Sequence, residues 1–210
     1  MIYKNKRDLI ATTVRKTDRV LDIGFWGQGI TLDNPRWPHN ALKKNAKEVY
    51  GIDLDFDDKQ FPPPNYKKAS AENFDFPVKF DVIFALDLIE HLSNPGLFLQ
   101  SCRRNLAQGG RIIITTPNVF NLFNMASKIT HYEPIVNKDE TCYFSMRMLR
   151  QLGAKNGLKP LAQDYVYDLE YGFKESFKKK FLNLIYRLLS VFTDKYVETL
   201  AITFVLADAT

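Results

Sequence analysis

Cysteine is scarce in this chain. Cys102 and Cys142 are the only two among 210 residues, and they stand without metal-ligand spacing. Two isolated thiols exclude a disulfide framework and a cysteine-based metal cluster, and they fit a reducing, cytoplasmic setting. A long apolar run is missing from the start, where residues 1–8 are polar and basic, so neither a signal peptide nor a membrane span is expected to begin there. Internal repeats and low-complexity tracts are missing as well. Neither charge dominates: 29 Lys and Arg against 24 Asp and Glu leave +5. That mild bias favours an acidic partner without choosing among nucleic acid, anionic lipid and a phosphorylated substrate. With 45% hydrophobic and 25% charged residues, extended disorder is excluded and one core is affordable, so a single domain over 1–210 is expected.

What is present is concentrated in Val20-Leu21-Asp22-Ile23-Gly24-Phe25-Trp26-Gly27-Gln28-Gly29, a strand-like run that breaks into a glycine-rich turn. Glycine tolerates unusual φ and close approach of backbone to a ligand, so the turn suits a nucleotide-like molecule. Around it, strand and helix periods alternate. A helix is expected over 8–15, then strands over 19–23 and 48–53 separated by a helix that Pro35 and Pro38 delay to about residue 37. Further strands are expected near 66–69, over 80–86 and over 111–115. Between the last two, Ser93-Asn94-Pro95 marks a helix start, and Gly109-Gly110 is read as closing a helix over 97–107. Beyond Thr116-Pro117-Asn118, helices are expected over 121–130 and 145–154, and late strands over 158–167 and 198–207. Seven strands alternating with helices predict a mostly parallel α/β sheet with helices on both faces, whose ligands bind at the carboxyl ends of the strands.

The chemically interesting residues fall at those ends. Asp53 closes the second strand, where a carboxylate can accept hydrogen bonds from ribose hydroxyls. A dinucleotide oxidoreductase is the competing class, but its Gly-x-Gly-x-x-Gly order does not match Gly24, Gly27 and Gly29, and an acid lies two residues before the first glycine. Asp22-x-Gly24 instead resembles the first motif of class I S-adenosylmethionine-dependent methyltransferases. Val49-Tyr50-Gly51-Ile52-Asp53 resembles that family's second motif, Ser70-Ala71-Glu72 its adenine-contacting stretch, Phe80 to Leu92 its fourth, and Gly109 to Asn118 its fifth-strand region. The chain departs from the pattern in two places. The glycine loop has one extra residue and a bulky Phe25-Trp26 pair, and Ser70 stands where an Asp is common.

This resemblance implies a Rossmann-like, doubly wound, mostly parallel seven-stranded sheet with an antiparallel last strand, and S-adenosylmethionine as cofactor. The cofactor-binding residues it implies are Asp22, Gly24, Phe25, Gly27, Gly29, Asp53, Leu54, Ser70, Ala71, Glu72 and Asp87. Methyl transfer from a sulfonium needs positioning, desolvation and removal of the acceptor's proton. Asp87, Glu90 and His91 follow the fourth strand, and His91 leads as the base because its ordinary pKa suits proton transfer. On one helical turn these three, at i, i+3 and i+4, would face one point. The arrangement is similar to the Glu-x-x-Glu-His metal set of ubiquinone-pathway and small-RNA methyltransferases, but no fourth ligand is assured from His131 or Glu140, and no metal is expected. Trp37 and His39 are read as packing at a helix start, with closure over cofactor or substrate as the alternative. Tyr132, Tyr143 and Phe144 are read as core or as the substrate side.

Residues 173–192 are lysine-rich at one end and densely apolar after it, too interrupted to span a bilayer. They form an expected helical insert that either covers the fold or lies at a membrane surface, with Lys178, Lys179 and Lys180 toward anionic headgroups. The expected activity is O-methylation of a small-molecule, saccharide or lipid-linked acceptor. An RNA 2′-O-methyltransferase and a non-catalytic cofactor-binding scaffold are the alternatives, and nucleic acid is the less favoured partner because no RNA-binding module is recognisable.

Overall fold

A computed structural model of the chain describes residues 1–27, 32–121, 124–125, 138–167 and 196–207. Its centre is a sheet in the order β1-β7-β8-β6-β5-β2-β3-β4. The strands are β1 (Ile2–Tyr3), β2 (Arg19–Ile23), β3 (Glu48–Asp53), β4 (Tyr66–Lys68), β5 (Phe80–Leu86), β6 (Leu106–Pro117), β7 (Leu158–Val166) and β8 (Thr199–Leu206). Pairing is parallel throughout except for β8, which runs antiparallel to both β6 and β7. The antiparallel last strand is as expected. The count is eight strands rather than seven, because Ile2 and Tyr3 add an edge strand beside β7. Two residues are too short to show a strand period, and only pairing across the chain reveals them.

The helices are α1 (Lys6–Thr13), α2 (Pro38–Asn45), α3 (Pro95–Asn105) and α4 (Met146–Lys155). Side-chain caps set three of their starts. Asn5 accepts from the Asp8 amide, Asn94 from the Leu97 amide and Ser145 from the Met148 amide, each satisfying a donor that lacks a partner within its own helix. The caps explain why α1 and α3 each begin and end two residues before the expected bounds. Gly109 and Gly110 do not close α3. They lie inside β6, where the register against β5 shifts between Phe80 and Val82 and Gly109 adopts a φ of +74°. A side chain at Gly110 would come within 2.9 Å of two backbone carbonyls, so glycine is required by the irregular pairing rather than by a helix end.

Apolar side chains pack on both faces of the sheet. On one face α1 and α2 set Leu9, Ile10 and Leu42 against Val20, Val82, Phe84 and Ile113. On the other, α3 and α4 set Phe98 and Leu149 against Leu21, Ile83, Ile114 and Ile202. These near-continuous Val, Ile and Phe strands read as they do because the central sheet is covered on both sides. The expected helix over 121–130 falls largely outside the described residues, as do Gly29, His131, Tyr132 and the segment 173–192. Among the described residues no helix is long and apolar enough to cross a membrane.

Candidate active site

The carboxyl ends of β2, β3 and β5 meet on one edge of the sheet, and each ends in or near an acid. Asp22, next to last in β2, is 3% exposed. Its side chain turns toward α2, where its Oδ2 lies 2.8 Å from His39 Nδ1, and His39 Nε2 lies 2.9 Å from the Tyr66 hydroxyl. A carboxylate oxygen accepts, so the hydrogen bond to Asp22 uses Nδ1–H, which leaves Nε2 to accept from the Tyr66 hydroxyl. Burial first, and then the Asp22 charge, push the Tyr66 hydroxyl up to about 12, which keeps that donor protonated. The chain Asp22–His39–Tyr66 thus ties β2, α2 and β4 together with both ring nitrogens used.

After Asp22, Gly24 adopts a φ of +75° and donates its amide to the Ile52 carbonyl at 2.9 Å. The left-handed conformation swings the turn across the end of β3. There the Trp26 amide donates to Asp53 Oδ2 at 2.9 Å, and the Leu54 amide donates to Asp53 Oδ1 at 2.7 Å. Burial raises the Asp53 carboxyl above the usual range, opposed by those backbone amides and assisted by the Asp22 charge. Leu54 is 76% exposed beside it.

Phe25, expected to line the cofactor, turns its ring the other way. It is 3% exposed and packs within about 5 Å of the rings of His39, Phe56, Phe61 and Tyr66. Its carbonyl accepts from Trp37 Nε1 at 2.8 Å, and Lys43 lies over the Phe61, Tyr66 and Trp37 rings. Burying an aromatic ring among others outweighs leaving it at the cleft, so the bulky pair in the glycine turn serves as a plug beneath it. Trp37 and His39 pack at the helix start as read from the sequence, although a buried acid–imidazole pair is more than packing. Gly27 is exposed.

Of the adenine-side stretch, Ser70 is exposed and accepts from the Glu72 amide at 3.2 Å, and Ala71 is half-buried. The Glu72 carboxylate instead accepts from the Asn94 amide at 2.7 Å, and the Glu72 carbonyl accepts from the Ser101 hydroxyl at 2.9 Å. Glu72 therefore anchors the start of α3.

The trio after β5 does not face one point. Asp87 has a φ of +50°, and only Ile89–His91 form a short 3-10 turn, so the spacing of an α-helical turn does not apply. Asp87 Oδ1 accepts from the Thr115 hydroxyl at 2.8 Å, and its Oδ2 pairs with Lys6 of α1. Half-buried His91 donates from Nδ1 to the Asp139 carbonyl at 3.0 Å. Glu90 turns to the opposite face of the sheet. It is 1% exposed, and neither carboxylate oxygen has a hydrogen-bond partner among the described residues. Burial, and then the Asp87 charge, push its carboxyl up to about 8, against weaker opposing effects of its own backbone amide and Thr116. It lines a narrow cavity with Thr116, Pro117, Val119, Glu140, Tyr143 and Phe144. The Thr141 amide donates to the Glu90 carbonyl at 2.8 Å, fixing the segment that forms the far wall. Among the described residues, no cluster of three or more His, Cys, Asp or Glu side chains could hold a metal ion.

Lys6, Tyr66 and Thr115 were not foreseen as parts of the site. Lys6 and Thr115 carry no local signal, since a lysine opening a helix and a threonine in a strand are ordinary. His39 offered one, because it shares the inner face of α2 with Leu42 and is buried there.

A family model described as a methyltransferase domain matches residues 2–163. The ubiquinone biosynthesis O-methyltransferase of Bradyrhizobium diazoefficiens is 28% identical over 109 residues, covering 48% of this chain and 40% of that protein. The chain thus matches less than half of that relative's length. Among solved structures, a SAM-dependent methyltransferase from Archaeoglobus fulgidus superposes with a TM-score of 0.60 at 18% identity, over 94% of this chain and 93% of that one. The 1,6-didemethyltoxoflavin-N1-methyltransferase of Burkholderia thailandensis, solved with 1,6-didemethyltoxoflavin and S-adenosylhomocysteine bound, superposes with a TM-score of 0.57 at 14% identity, over 97% and 77%. At these identities the structural likeness shows the fold.

Proposed function

Because the chain belongs to the methyltransferase-domain family of class I S-adenosylmethionine-dependent methyltransferases, we propose that it transfers a methyl group to a hydroxyl oxygen of a small or lipid-linked acceptor. The residues at the strand ends suit the family's cofactor. Asp53, half-buried with exposed Leu54 next to it, offers an acceptor for ribose hydroxyls and an apolar surface for a base. A side chain at Gly24 would come within 3.1 Å of Leu88, so the turn keeps the backbone bare where a ligand must approach. Asp87, held by Lys6 and Thr115, places negative charge toward a cationic amino group. Bound S-adenosylmethionine supplies a methyl carbon made electrophilic by its positive sulfur.

The observation that carries oxygen as the acceptor atom is Glu90. A hydroxyl is a poor nucleophile while it keeps its proton, whereas a neutral amine needs no base. Glu90 is buried at the end of β5, with no close hydrogen-bond partner for its carboxylate oxygens among the described residues, and it has the raised proton affinity of a group suited to take that proton as the carbon–oxygen bond forms. Taking up that proton neutralises Glu90, which later releases it to water. Glu90 replaces His91 as the favoured base, since His91 Nδ1 is committed to the Asp139 carbonyl. The matched stretch of a ubiquinone biosynthesis O-methyltransferase supports the same chemistry.

The test is formation of S-adenosylhomocysteine from S-adenosylmethionine across a panel of phenols, alcohols and amines, with wild type and Glu90→Gln. Turnover of hydroxyl acceptors that Glu90→Gln abolishes is expected. Turnover of amines alone, undiminished in the variant, would overturn the reading.

A further inference from the structure

The Glu90 cavity is small and one-sided in charge. It encloses about 10 Å³, room for roughly one water-sized group such as a hydroxyl. Two carboxyl side chains line it, Glu90 from the turn after β5 and half-buried Glu140 from the far wall. Among the described residues that line it there is no lysine or arginine. An anion brought to this opening therefore meets like charge and finds no counter-charge.

The backbone on both sides of Glu140 keeps it there. Before it, the Asp139 carbonyl accepts from His91 Nδ1 at 3.0 Å. After it, the Thr141 hydroxyl lies 3.0 Å from the Glu90 carbonyl and 3.1 Å from the Leu92 carbonyl. A hydroxyl has one proton to donate, so these two carbonyls share it. The Thr141 and Cys142 amides add donations to the Glu90 carbonyl at 2.8 and 3.3 Å. The strap 139–142 is thus pinned to the 3-10 turn and its end, and it presents Glu140 to the cavity whatever else the Glu140 side chain binds.

Resting on the O-methylation reading, we propose that Glu140 determines acceptor specificity: with Glu90 it rejects acceptors that carry a carboxylate, sulfate or phosphate close to the reacting hydroxyl. The substrate class is then a hydroxyl acceptor with no negative charge near that oxygen. The rejection acts at two stages. In binding, like charges held within about 10 Å at a partly buried site repel enough for roughly a tenfold loss of affinity. In turnover, burial and the charges of Asp87 and Glu140 already hold the Glu90 carboxyl up. A further negative charge from the acceptor would disfavour the ionised form that must take the proton. A neutral acceptor incurs neither loss.

The probes are 3,4-dihydroxybenzamide and 3,4-dihydroxybenzoate, which carry a neutral and an anionic group at the same ring position. Equilibrium dialysis against the protein with S-adenosylhomocysteine reads binding, and S-adenosylhomocysteine release from S-adenosylmethionine reads turnover. Wild type is expected to bind the amide roughly tenfold more tightly than the benzoate. Glu140→Gln should narrow that ratio by roughly threefold or more, whereas Glu140→Asp, which keeps the charge, should retain most of it. A merely structural loss would weaken both ligands alike and leave the ratio unmoved. Equal binding of the two by wild type, an unmoved ratio in Glu140→Gln, the same narrowing in both variants, or binding of neither ligand would overturn the proposal. Charge-dependent binding with no turnover of the amide or of any other hydroxyl acceptor would instead sink the O-methylation reading and leave the charge selection standing.

Discussion

On the α1/α2 face, buried Asp22 meets His39, His39 meets Tyr66, and half-buried Asp87 meets Lys6 and Thr115, so these polar groups are answered by neighbours. On the α3/α4 face, Glu90 is just as buried and has no hydrogen-bond partner among the described residues. The two sides of one sheet edge therefore treat buried acids in opposite ways. A satisfied acid fixes geometry, which suits a cofactor that must dock in one pose. An unsatisfied acid stores a tendency to hold a proton, which suits a step that moves one.

Several measurements would break or sharpen that contrast. The largest expected effect is on turnover: Glu90→Gln should lower kcat/KM by about 10² to 10⁴, the usual range for a lost proton acceptor, while S-adenosylhomocysteine affinity in calorimetry stays within a few-fold. Activity of the wild type should rise with pH toward about 8 as Glu90 ionises in the free enzyme, and the residual activity of the variant should lack that limb. An unchanged profile would remove Glu90 from the chemistry.

Next is His39→Ala, which leaves the Asp22 charge buried without its donor and should cost about 3–5 kcal/mol in urea unfolding. His39→Asn, whose amide can still donate to Asp22, should recover most of that loss. If both variants cost the same, the acid–imidazole contact is not what stabilises this side.

A smaller effect has the opposite sign. An unfolded glutamate loses its proton near 4.5 and the folded Glu90 near 8. Between these values the folded state holds a proton that the unfolded state has released, so the stabilisation present below 4.5 is lost as pH rises through 8. Glu90→Gln should flatten that slope and leave the protein more stable than wild type above pH 8, by on the order of a few kcal/mol. Thermal unfolding across pH 5 to 9 reads it, and parallel curves would mean that Glu90 titrates normally. The smallest effect is Tyr66→Phe. It removes one hydrogen bond to His39 and should cost about 1 kcal/mol, with a modest loss of S-adenosylhomocysteine affinity.

The contrast was only half legible in the residues. Asp22, Gly24 and Asp53 could be placed because each lies within or just after a strand whose apolar run marks its end. The i, i+3, i+4 reading of Asp87, Glu90 and His91 failed for a local reason, since Asp87 enters the left-handed region and the turn after it is 3-10. The direction of the Phe25 ring was not legible, because proximity to a glycine turn says nothing of the face a ring takes, and four aromatic neighbours, His39, Phe56, Phe61 and Tyr66, drew it inward. The anchoring of α3 by Glu72 was not legible because the Asn94 amide that binds it lies 22 residues away.

By itself, the sequence determined the alternation of strands and helices, the glycine turn after β2 and the acids at the strand ends, since those depend on runs of a few neighbouring residues. Tertiary structure alone decided that His39 and Tyr66 would lock Asp22, that Lys6 would reach Asp87, and that Glu90 would be buried with no close hydrogen-bond partner among the described residues. Each of those outcomes depends on which distant segments meet, and the proton affinity of a side chain is set by the burial and charges those segments bring to it.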